Sequence, residues 1–292
     1  MAMLDALLNG LVDYAGLFPP AGLPMPEAVR NHASYLRGPH HRLLGRFILP
    51  LARLAEFEAA YSTLHATEQE GWRLSVLASP EPATGWRAIQ AFHARWPHAR
   101  IVSIEAKAGT PADIAALSAA FPPAVELWIE APLAGDFTPW VAAIKTAGRG
   151  AKLRTGGVVP EAFPTATDVI RFLKTCHDSG LTAKATAGLH HPVSGDYRLT
   201  YEPASPSGPM FGFLNLFLAA ALVQAGGSAA DGARLLMDRS AGSFRLANGS
   251  LSWRGRAFTP AALAGTRRSL LRSFGSCSFT EPVEGLQGLG WL

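Results

Sequence analysis

Two lysines occupy matching places in two similar segments of the chain. Lys152 lies in AKLRTGG (residues 151–157), and Lys184 lies in TAKATAG (residues 182–188). Each segment is a short apolar run that reaches a lysine and then a glycine, a pattern typical of a buried strand. A neutral amine attacks a carbonyl to form an imine, and a second ammonium group nearby lowers the pKa of the first. The pair therefore predicts Schiff-base chemistry if both side chains point inward from neighbouring strands.

An ordinary structural role for these lysines stays open beside the chemical one. Burial of a lysine disfavours its charged form and lowers its pKa. A lysine that points into the barrel therefore costs folding free energy unless it pairs with a carboxylate, and an unpaired one indicates a functional role. The alternative is therefore that one of the lysines forms a salt bridge with a carboxylate such as Glu126 or Glu130.

Further candidates lie near the ends of the same predicted strands. Arg154 is two residues from Lys152, hence on the same face of a strand, and its guanidinium can hold a carboxylate by two parallel hydrogen bonds. This use would favour an oxo acid as substrate, whereas an ion pair with a neighbouring carboxylate is the structural alternative. Glu130 and Asp13 are candidates for the general acid/base, and Tyr14, beside Asp13, is a candidate for substrate binding.

A pair of histidines and one cysteine complete the set of candidates. His190 and His191 follow the second lysine segment and supply donors for substrate binding. Neighbours on an extended chain point apart, so the pair is a poor metal motif. A zinc site that combines one of them with Glu105, Glu126 or Glu130 is nevertheless an alternative. Cys277 is a candidate for substrate binding and for a nucleophile served by these histidines, although a small buried side chain is the plainer interpretation.

The elements that must position these residues alternate regularly between strand and helix. Strands of about 4–8 residues separated by helices of about 10–15 indicate parallel βαβ units, and continuous apolar strands indicate a sheet covered on both faces. We therefore predict one (β/α)8 TIM-barrel domain over residues 1–292, in which chemistry is expected at the carboxyl ends of the strands. The predicted strands are residues 11–15, 46–51, 72–78, 100–105, 125–130, 151–155, 181–186 and 273–279.

Two segments depart from the plain repeat. Residues 188–209 are polar and proline-rich and are expected to fold over the barrel as a lid-like loop. Residues 243–258 contain two β runs around Asn248-Gly249, which predicts a hairpin insertion. Residues 210–225 are apolar but too short to span a bilayer, so a buried outer helix is expected. An open doubly wound sheet is the rival fold, but no G-x-G-x-x-G follows the first strand.

Composition narrows the classes of partner. Of the 292 residues, 48% are hydrophobic and 16% are charged, which provides for a large core. The net charge of +4 is spread along the chain without a basic block, so neither nucleic acid nor a membrane is expected as a partner. The two cysteines form neither a disulfide framework nor a metal-ligand spacing. We expect a cytoplasmic protein that binds a small, anionic molecule, with a homo-oligomer as one possibility.

The order WIEAP, KLRTG and KATAG, within residues 125–191, resembles class I aldolases of the deoxyribose-phosphate aldolase type. The resemblance implies that Lys152 forms the Schiff base, that Lys184 tunes its pKa, and that no cofactor is needed. Those aldolases bind a substrate phosphate with glycine-rich backbone near the last strands, whereas here the seventh strand leads into Leu189 and the two histidines. The chain is also similar to a set of bacterial proteins that share DYAGLFPPA, RTGG, KATAGLHHP and SFGSCSF, a likeness that implies no activity.

Three functional hypotheses follow from these residues. The first is a lyase that forms an imine through Lys152 with a small carbonyl or oxo acid substrate and makes or breaks a carbon–carbon bond. The second is a metal-dependent hydrolase built from His190, His191 and the barrel glutamates. The third is a barrel that binds an anionic metabolite without turning it over.

Overall fold

Eight parallel strands close into a barrel, with helices in the connections between them. The structure is a computed structural model that describes residues 2–79, 81–247 and 249–292. The predicted (β/α)8 barrel is therefore confirmed. The barrel strands are β1 Val12–Tyr14, β2 Leu44–Pro50, β3 Trp72–Leu77, β4 Ala99–Lys107, β5 Glu126–Glu130, β6 Gly150–Arg154, β7 Ala183–Thr186 and β13 Leu271–Ser276. Their order around the barrel is β1-β13-β7-β6-β5-β4-β3-β2.

Helices cover the outside of the barrel. None in the described part of the chain has the length and apolarity needed to cross a membrane. The α-helices are α1 Ala2–Leu8, α2 Met25–Arg37, α3 Leu54–Tyr61, α4 Pro82–Arg95, α5 Asp113–Ala119, α6 Thr138–Thr146, α7 Ala166–Asp178, α8 Phe213–Gln224, α9 Ala229–Leu236, α10 Pro260–Ser269 and α11 Thr280–Gly288. Short 3-10 turns lie at His41–Leu43, Leu51–Arg53, Ala66–Glu68, Pro160–Ala162 and Ala241–Ser243.

The apolar core lies between the strands and the helices. Successive side chains of a strand alternate between the two faces of the sheet, so every second residue of each barrel strand packs against the helices. On β2, for example, Phe47 stacks outward into an aromatic cluster with His32 of α2, Trp72 and Phe57, with ring centroids 5.3–5.8 Å from that of Phe47. This packed layer between strands and helices fixes the positions of the strands relative to the helices. The side chains on the opposite face of each strand point into the barrel interior.

The barrel interior is unusually polar. The inner layers of such barrels are commonly filled by branched aliphatic residues. Here Ser75 of β3 and Ser103 of β4 are fully buried and hydrogen-bond each other over 2.8 Å. At the amino-terminal end of the barrel, Glu126 accepts hydrogen bonds from Arg46 and Arg272. Paired polar side chains therefore occupy much of the space inside the strands.

The two segments outside the plain repeat are more structured than predicted. The predicted lid-like loop 188–209 contains an antiparallel hairpin formed by β8 Gly195–Arg198 and β9 Ser207–Met210. The predicted hairpin 243–258 is a three-stranded sheet of β10 Phe244–Ala247, β11 Ser250–Trp253 and β12 Arg256–Phe258, and Asn248 of its turn lies outside the described residues. Polar composition predicted a loop in the first segment, but cross-strand pairing organises it.

Candidate active site at the carboxyl end of the barrel

The two lysines identified from the sequence share one carboxylate inside the barrel. Strands β6 and β7 pair in a register that places Lys152 beside Lys184. Glu105 of β4 lies between their amines, with Oε1 2.6 Å from Nζ of Lys184 and Oε2 3.1 Å from Nζ of Lys152. All three side chains are buried. Both lysines therefore point inward, and the alternation of strand residues explains why.

Lys184 is held in its charged form by two carboxylates. Its Nζ also lies 2.8 Å from Oδ2 of Asp13, which in turn accepts hydrogen bonds from Ser273 Oγ and the Arg46 backbone N–H. Burial alone lowers the pKa of Lys184, but the charges of Asp13 and Glu105 outweigh burial and raise it above its usual value. The expectation that burial would lower the pKa of such a lysine is thus wrong for Lys184, because two anions compensate the lost hydration.

Glu130 holds Lys152 from the other side. Its Oε2 lies 2.9 Å from Nζ of Lys152, and its Oε1 lies 3.4 Å from Nε of Arg154 and 3.2 Å from Nζ of Lys107. Burial raises the pKa of Glu130, but the charge and hydrogen bond of Lys152 outweigh this and lower it. The alternative of a lysine paired with Glu130 is therefore confirmed for Lys152, whereas Glu126 lies at the opposite end of strand β5.

A cavity of about 290 Å³ opens above this network. Lys152 and Glu105 form part of its floor, and Arg154 lines its side with a side chain that is 44% exposed. Lys184, which is 0% exposed, does not line it. The other lining residues are Ala15, Phe18, Pro19, Pro20, Ile48, Leu77, Gly157, Val158, Thr186, Ala187, Gly188, His190, Gly275 and Cys277.

Three polar residues meet at the rim of this cavity. His190 Nδ1 lies 2.7 Å from Oε2 of Glu281, and the hydroxyl of Tyr201 donates to the same oxygen over 2.9 Å. Glu281 lies in the first turn of α11, while Tyr201 lies between the two strands of the β8–β9 hairpin. The hairpin therefore contacts the barrel rim through Tyr201, in agreement with the lid position expected for residues 188–209.

Cys277 lies at this rim as a buried thiol. Its Sγ is 3.6 Å from the Tyr201 hydroxyl, and the residue is 6% exposed. Burial raises the pKa of the Cys277 thiol to about 11, although the hydrogen bond between Cys277 and Tyr201 acts in the opposite direction. A thiol with this pKa is protonated near neutral pH and is a weak nucleophile. Cys277 therefore contributes shape and polarity to the cavity wall.

Tyr14 and His191 lie apart from the cavity. Tyr14 is 1% exposed and packs edge-on against Tyr35, with ring centroids 5.3 Å apart, in the layer between strands and helices. Because Asp13 points into the barrel, Tyr14, the next residue, must point out of it. His191 stacks on Tyr197 with centroids 3.6 Å apart, and its ring centroid lies 6.4 Å from that of His190, so the expectation that the two adjacent histidines point apart is wrong. Neither Tyr14 nor His191 lines the cavity, so the structure does not support a role in substrate binding there for either residue.

Sequence reasoning did not identify the residue at the centre of the network. Glu105 entered only as a conceivable zinc ligand, and Glu281 and Tyr201 were not singled out as site residues. Among the residues that the structure describes, no group of three or more histidine, cysteine, aspartate or glutamate side chains is placed to hold a metal ion. The signal that could have found Glu105 is a charged residue inside the predicted apolar strand 100–105.

Comparisons of the chain with family models, with curated proteins and with solved structures found no match.

Proposed function

We propose that the protein is a lyase that forms an imine between Lys152 and a small carbonyl or oxo acid substrate, and that makes or breaks a carbon–carbon bond next to it. The observation that carries the proposal is the place of the Lys152 amine. It lies between Glu105 and Glu130 on the floor of a cavity at the carboxyl end of the barrel. In barrels of this kind that end is where catalysis takes place.

The difference in access between the two lysines favours Lys152 as the nucleophile. Lys152 lines the cavity, whereas Lys184 lies beneath it, paired with Asp13 and Glu105. Lys184 supplies a fixed positive charge next to Lys152, and the two ammonium groups each contact one oxygen of Glu105.

The negative charges of Glu105 and Glu130 can stabilise the positively charged iminium that the first step forms on Lys152. Condensation of a neutral lysine amine with a carbonyl releases water and, after protonation, gives an iminium with the same single positive charge as the original ammonium. Glu105 and Glu130, whose pKa values are both lowered by Lys152 among other groups, are ionised and can stabilise that iminium. Fixed charges that match a charged intermediate are a major source of enzymatic rate enhancement.

Arg154 supports an anionic substrate. Its Nε makes a long contact of 3.4 Å with Glu130, and its other guanidinium nitrogens have no hydrogen-bond partner among the described residues. A guanidinium with two free N–H groups at a cavity wall matches the two oxygens of a carboxylate. An oxo acid that places its carbonyl at Lys152 and its carboxylate at Arg154 is therefore the favoured substrate class.

The test is reductive trapping. The protein is incubated with pyruvate, 2-oxobutyrate, acetaldehyde or dihydroxyacetone and then with sodium borohydride, which reduces an iminium to a stable amine. We expect mass spectrometry to show the mass of the reduced adduct, and peptide mapping to locate it on Lys152.

Two variants make the trapping test decisive. Lys152→Met should remove the adduct, while Lys174→Met, which changes an exposed lysine of α7, should leave its yield unchanged. An adduct that persists at full yield in Lys152→Met would exclude Lys152 from the role. A compound that raises the melting temperature but is never trapped would instead support a barrel that only binds an anionic metabolite.

A further inference from the structure

The proposed imine chemistry needs a group that takes a proton from the substrate and returns it. Glu105 on the cavity floor and Glu130, which lies against the Lys152 amine but does not line the cavity, are poorly suited to this task. Burial raises the pKa of each, but the charges of Lys184 and Lys152 at Glu105, and of Lys152 at Glu130, outweigh burial and hold both pKa values below their usual range. Asp13, a candidate base from the sequence, lies deeper, with one oxygen on Lys184 and Ser273 and the other on a backbone amide. A base must therefore come from elsewhere on the cavity wall.

His190 has the required position and a fixed orientation. It lines the same cavity as Lys152, and its Nδ1 lies 2.7 Å from Glu281. Burial raises the pKa of Glu281, but hydrogen bonds from His190 and Tyr201 outweigh this and lower it, so the carboxylate is ionised. An ionised carboxylate only accepts hydrogen bonds, and Nδ1 of His190 therefore carries the proton. The lone pair is then on Nε2, which has no hydrogen-bond partner in the described chain.

The backbone before His190 adopts an uncommon conformation. Ala187 has a φ of 64°, in the left-handed region that residues other than glycine rarely enter, and Gly188 follows with a φ of 69°. The hydroxyl of Thr155, at the end of β6, donates to the Ala187 carbonyl over 2.6 Å and holds this turn. Such backbone conformations are concentrated at functional sites. Here the turn carries the chain from the end of β7 along the cavity wall to His190.

Glu281 is held in turn by the hairpin above the barrel. The hydroxyl of Tyr201 donates to the same oxygen of Glu281 that His190 contacts. The three residues come from the loop after β7, the β8–β9 hairpin and helix α11. Their convergence on one oxygen limits the freedom of the His190 ring, in the way that a third group orients the base in many catalytic constellations.

We propose that His190 is the proton-transferring residue of this cavity, and that Glu281 and Tyr201 position it. This inference rests on the proposed imine function. In the cleavage direction, Nε2 of His190 takes the proton of the substrate hydroxyl, the carbon–carbon bond breaks to release a carbonyl product, and its electron pair converts the Lys152 iminium into a neutral enamine. The His190 imidazolium then returns the proton to the enamine carbon, and water hydrolyses the resulting iminium to free Lys152.

The experiment follows the same proton in the absence of cleavage. A carbonyl compound trapped by wild-type protein, from among pyruvate, 2-oxobutyrate, acetaldehyde and dihydroxyacetone, is incubated with the protein in D2O. Loss of the C–H signal next to its carbonyl is then followed by proton NMR. We expect His190→Gln to slow this exchange by about 100-fold or more, the usual contribution of a general base. The borohydride adduct on Lys152 should persist, which also shows that the variant folds.

The outcomes separate this inference from the function on which it rests. Exchange in His190→Gln within a few-fold of wild type, with the adduct intact, would overturn the role of His190 and leave the imine function standing. Failure of wild-type protein to trap any of the four compounds would overturn both.

The positioning role of Glu281 has a spectroscopic readout. In protein labelled with 15N at histidine, the His190 signals, assigned from their loss in His190→Gln, should show the proton on Nδ1. Glu281→Leu should move it towards Nε2 and reduce exchange, and Tyr201→Phe should reduce exchange less. A wild-type His190 protonated mainly on Nε2 would contradict the arrangement.

Discussion

Lys184 donates a hydrogen bond to Glu105 over 2.6 Å. The Lys184 side chain is fully buried, and that of Glu105 is 2% exposed. Such a pair is strongly coupled, since removal of either partner leaves the other charge buried without full compensation. The pair also connects the stability of the barrel to its candidate chemistry, because Glu105 is shared with Lys152.

Substitution of either partner should therefore destabilise the barrel strongly. We expect Lys184→Met and Glu105→Gln each to lower the free energy of unfolding by about 3–5 kcal/mol, measured by urea denaturation. The double variant should lose less than the sum of the two, because it contains neither the Glu105 charge that loses Lys184 in one single variant nor the Lys184 charge that loses Glu105 in the other.

The control for this prediction is an exposed ion pair. Lys174 and Asp178 on α7 lie 2.9 Å apart with side chains exposed by 59% and 55%. Lys174→Met should cost about 0–1 kcal/mol. Losses of the same small size at Lys184 would show that the buried network contributes little to stability.

Arg154 should make the site bind carbonyl compounds that carry a carboxylate more tightly than neutral ones. Loss of a charge-assisted hydrogen bond costs about 1.5–3 kcal/mol, so Arg154→Met should raise the pyruvate concentration needed for half-maximal trapping by about 10-fold or more. Trapping of acetaldehyde, which has no carboxylate, should change little. Arg171→Met, at an arginine of α7 that contacts Asp168 and the carbonyls of Leu133 and Gly135, is the control. Equal effects on both compounds would argue against a carboxylate site at Arg154.

Cys277 should react slowly with alkylating reagents. Because burial raises the pKa of its thiol to about 11, the reactive thiolate is scarce at pH 8 and increases as the pH rises towards 11. Relative to a thiol of ordinary pKa near 9, iodoacetamide should modify Cys277 about 100-fold more slowly at pH 8, as measured by mass spectrometry. Cys277→Ser should also leave imine trapping intact. Rapid alkylation at neutral pH would contradict this account of the cavity wall.

The barrel could be predicted from the sequence because short, largely apolar runs alternate with segments of helical length. The observed strand ends differ from the predicted ones by up to three residues, as at β13, which spans Leu271–Ser276 rather than residues 273–279. Alternation along β6 was enough to place Lys152 and Arg154 on the inner face. Local pattern therefore determines which residues face the barrel interior.

Partners across the barrel could not be predicted in the same way. Glu105 is separated from Lys152 by 47 positions and from Lys184 by 79, and nothing local in strand β4 identifies either partner. Tyr201 and Glu281 are 80 positions apart and meet only after the β8–β9 hairpin has folded over the rim. Such contacts join positions that are far apart in the chain, and no local pattern specifies which of them will meet.

His32 should make the protein sensitive to mild acid. Its ring lies among Tyr14, Phe47 and Trp72, neither ring nitrogen has a partner in the described part of the chain, and burial lowers its pKa to about 3. The unfolded chain, with an ordinary histidine pKa of about 6.5, binds a proton between these two values that the folded protein does not bind. The full stability contribution is therefore present above pH 6.5, and it falls by about 1.4 kcal/mol for each pH unit below that.

Unfolding by urea between pH 6.5 and 5 avoids most carboxylates of the unfolded chain, which titrate at lower pH. Burial also lowers the pKa values of His93 and His191, so a comparison of wild type with a His32 variant is needed to separate the contribution of His32. We expect His32→Leu to reduce the slope of the unfolding free energy against pH by up to about 1.4 kcal/mol per pH unit, which corresponds to one proton, even if the variant is less stable at pH 7. Phe47→Leu, in the same cluster, should lower stability without changing the slope, because it removes no titratable group. Equal slopes in wild type and His32→Leu would mean that the folded protein admits a charged His32, which its aromatic surroundings argue against.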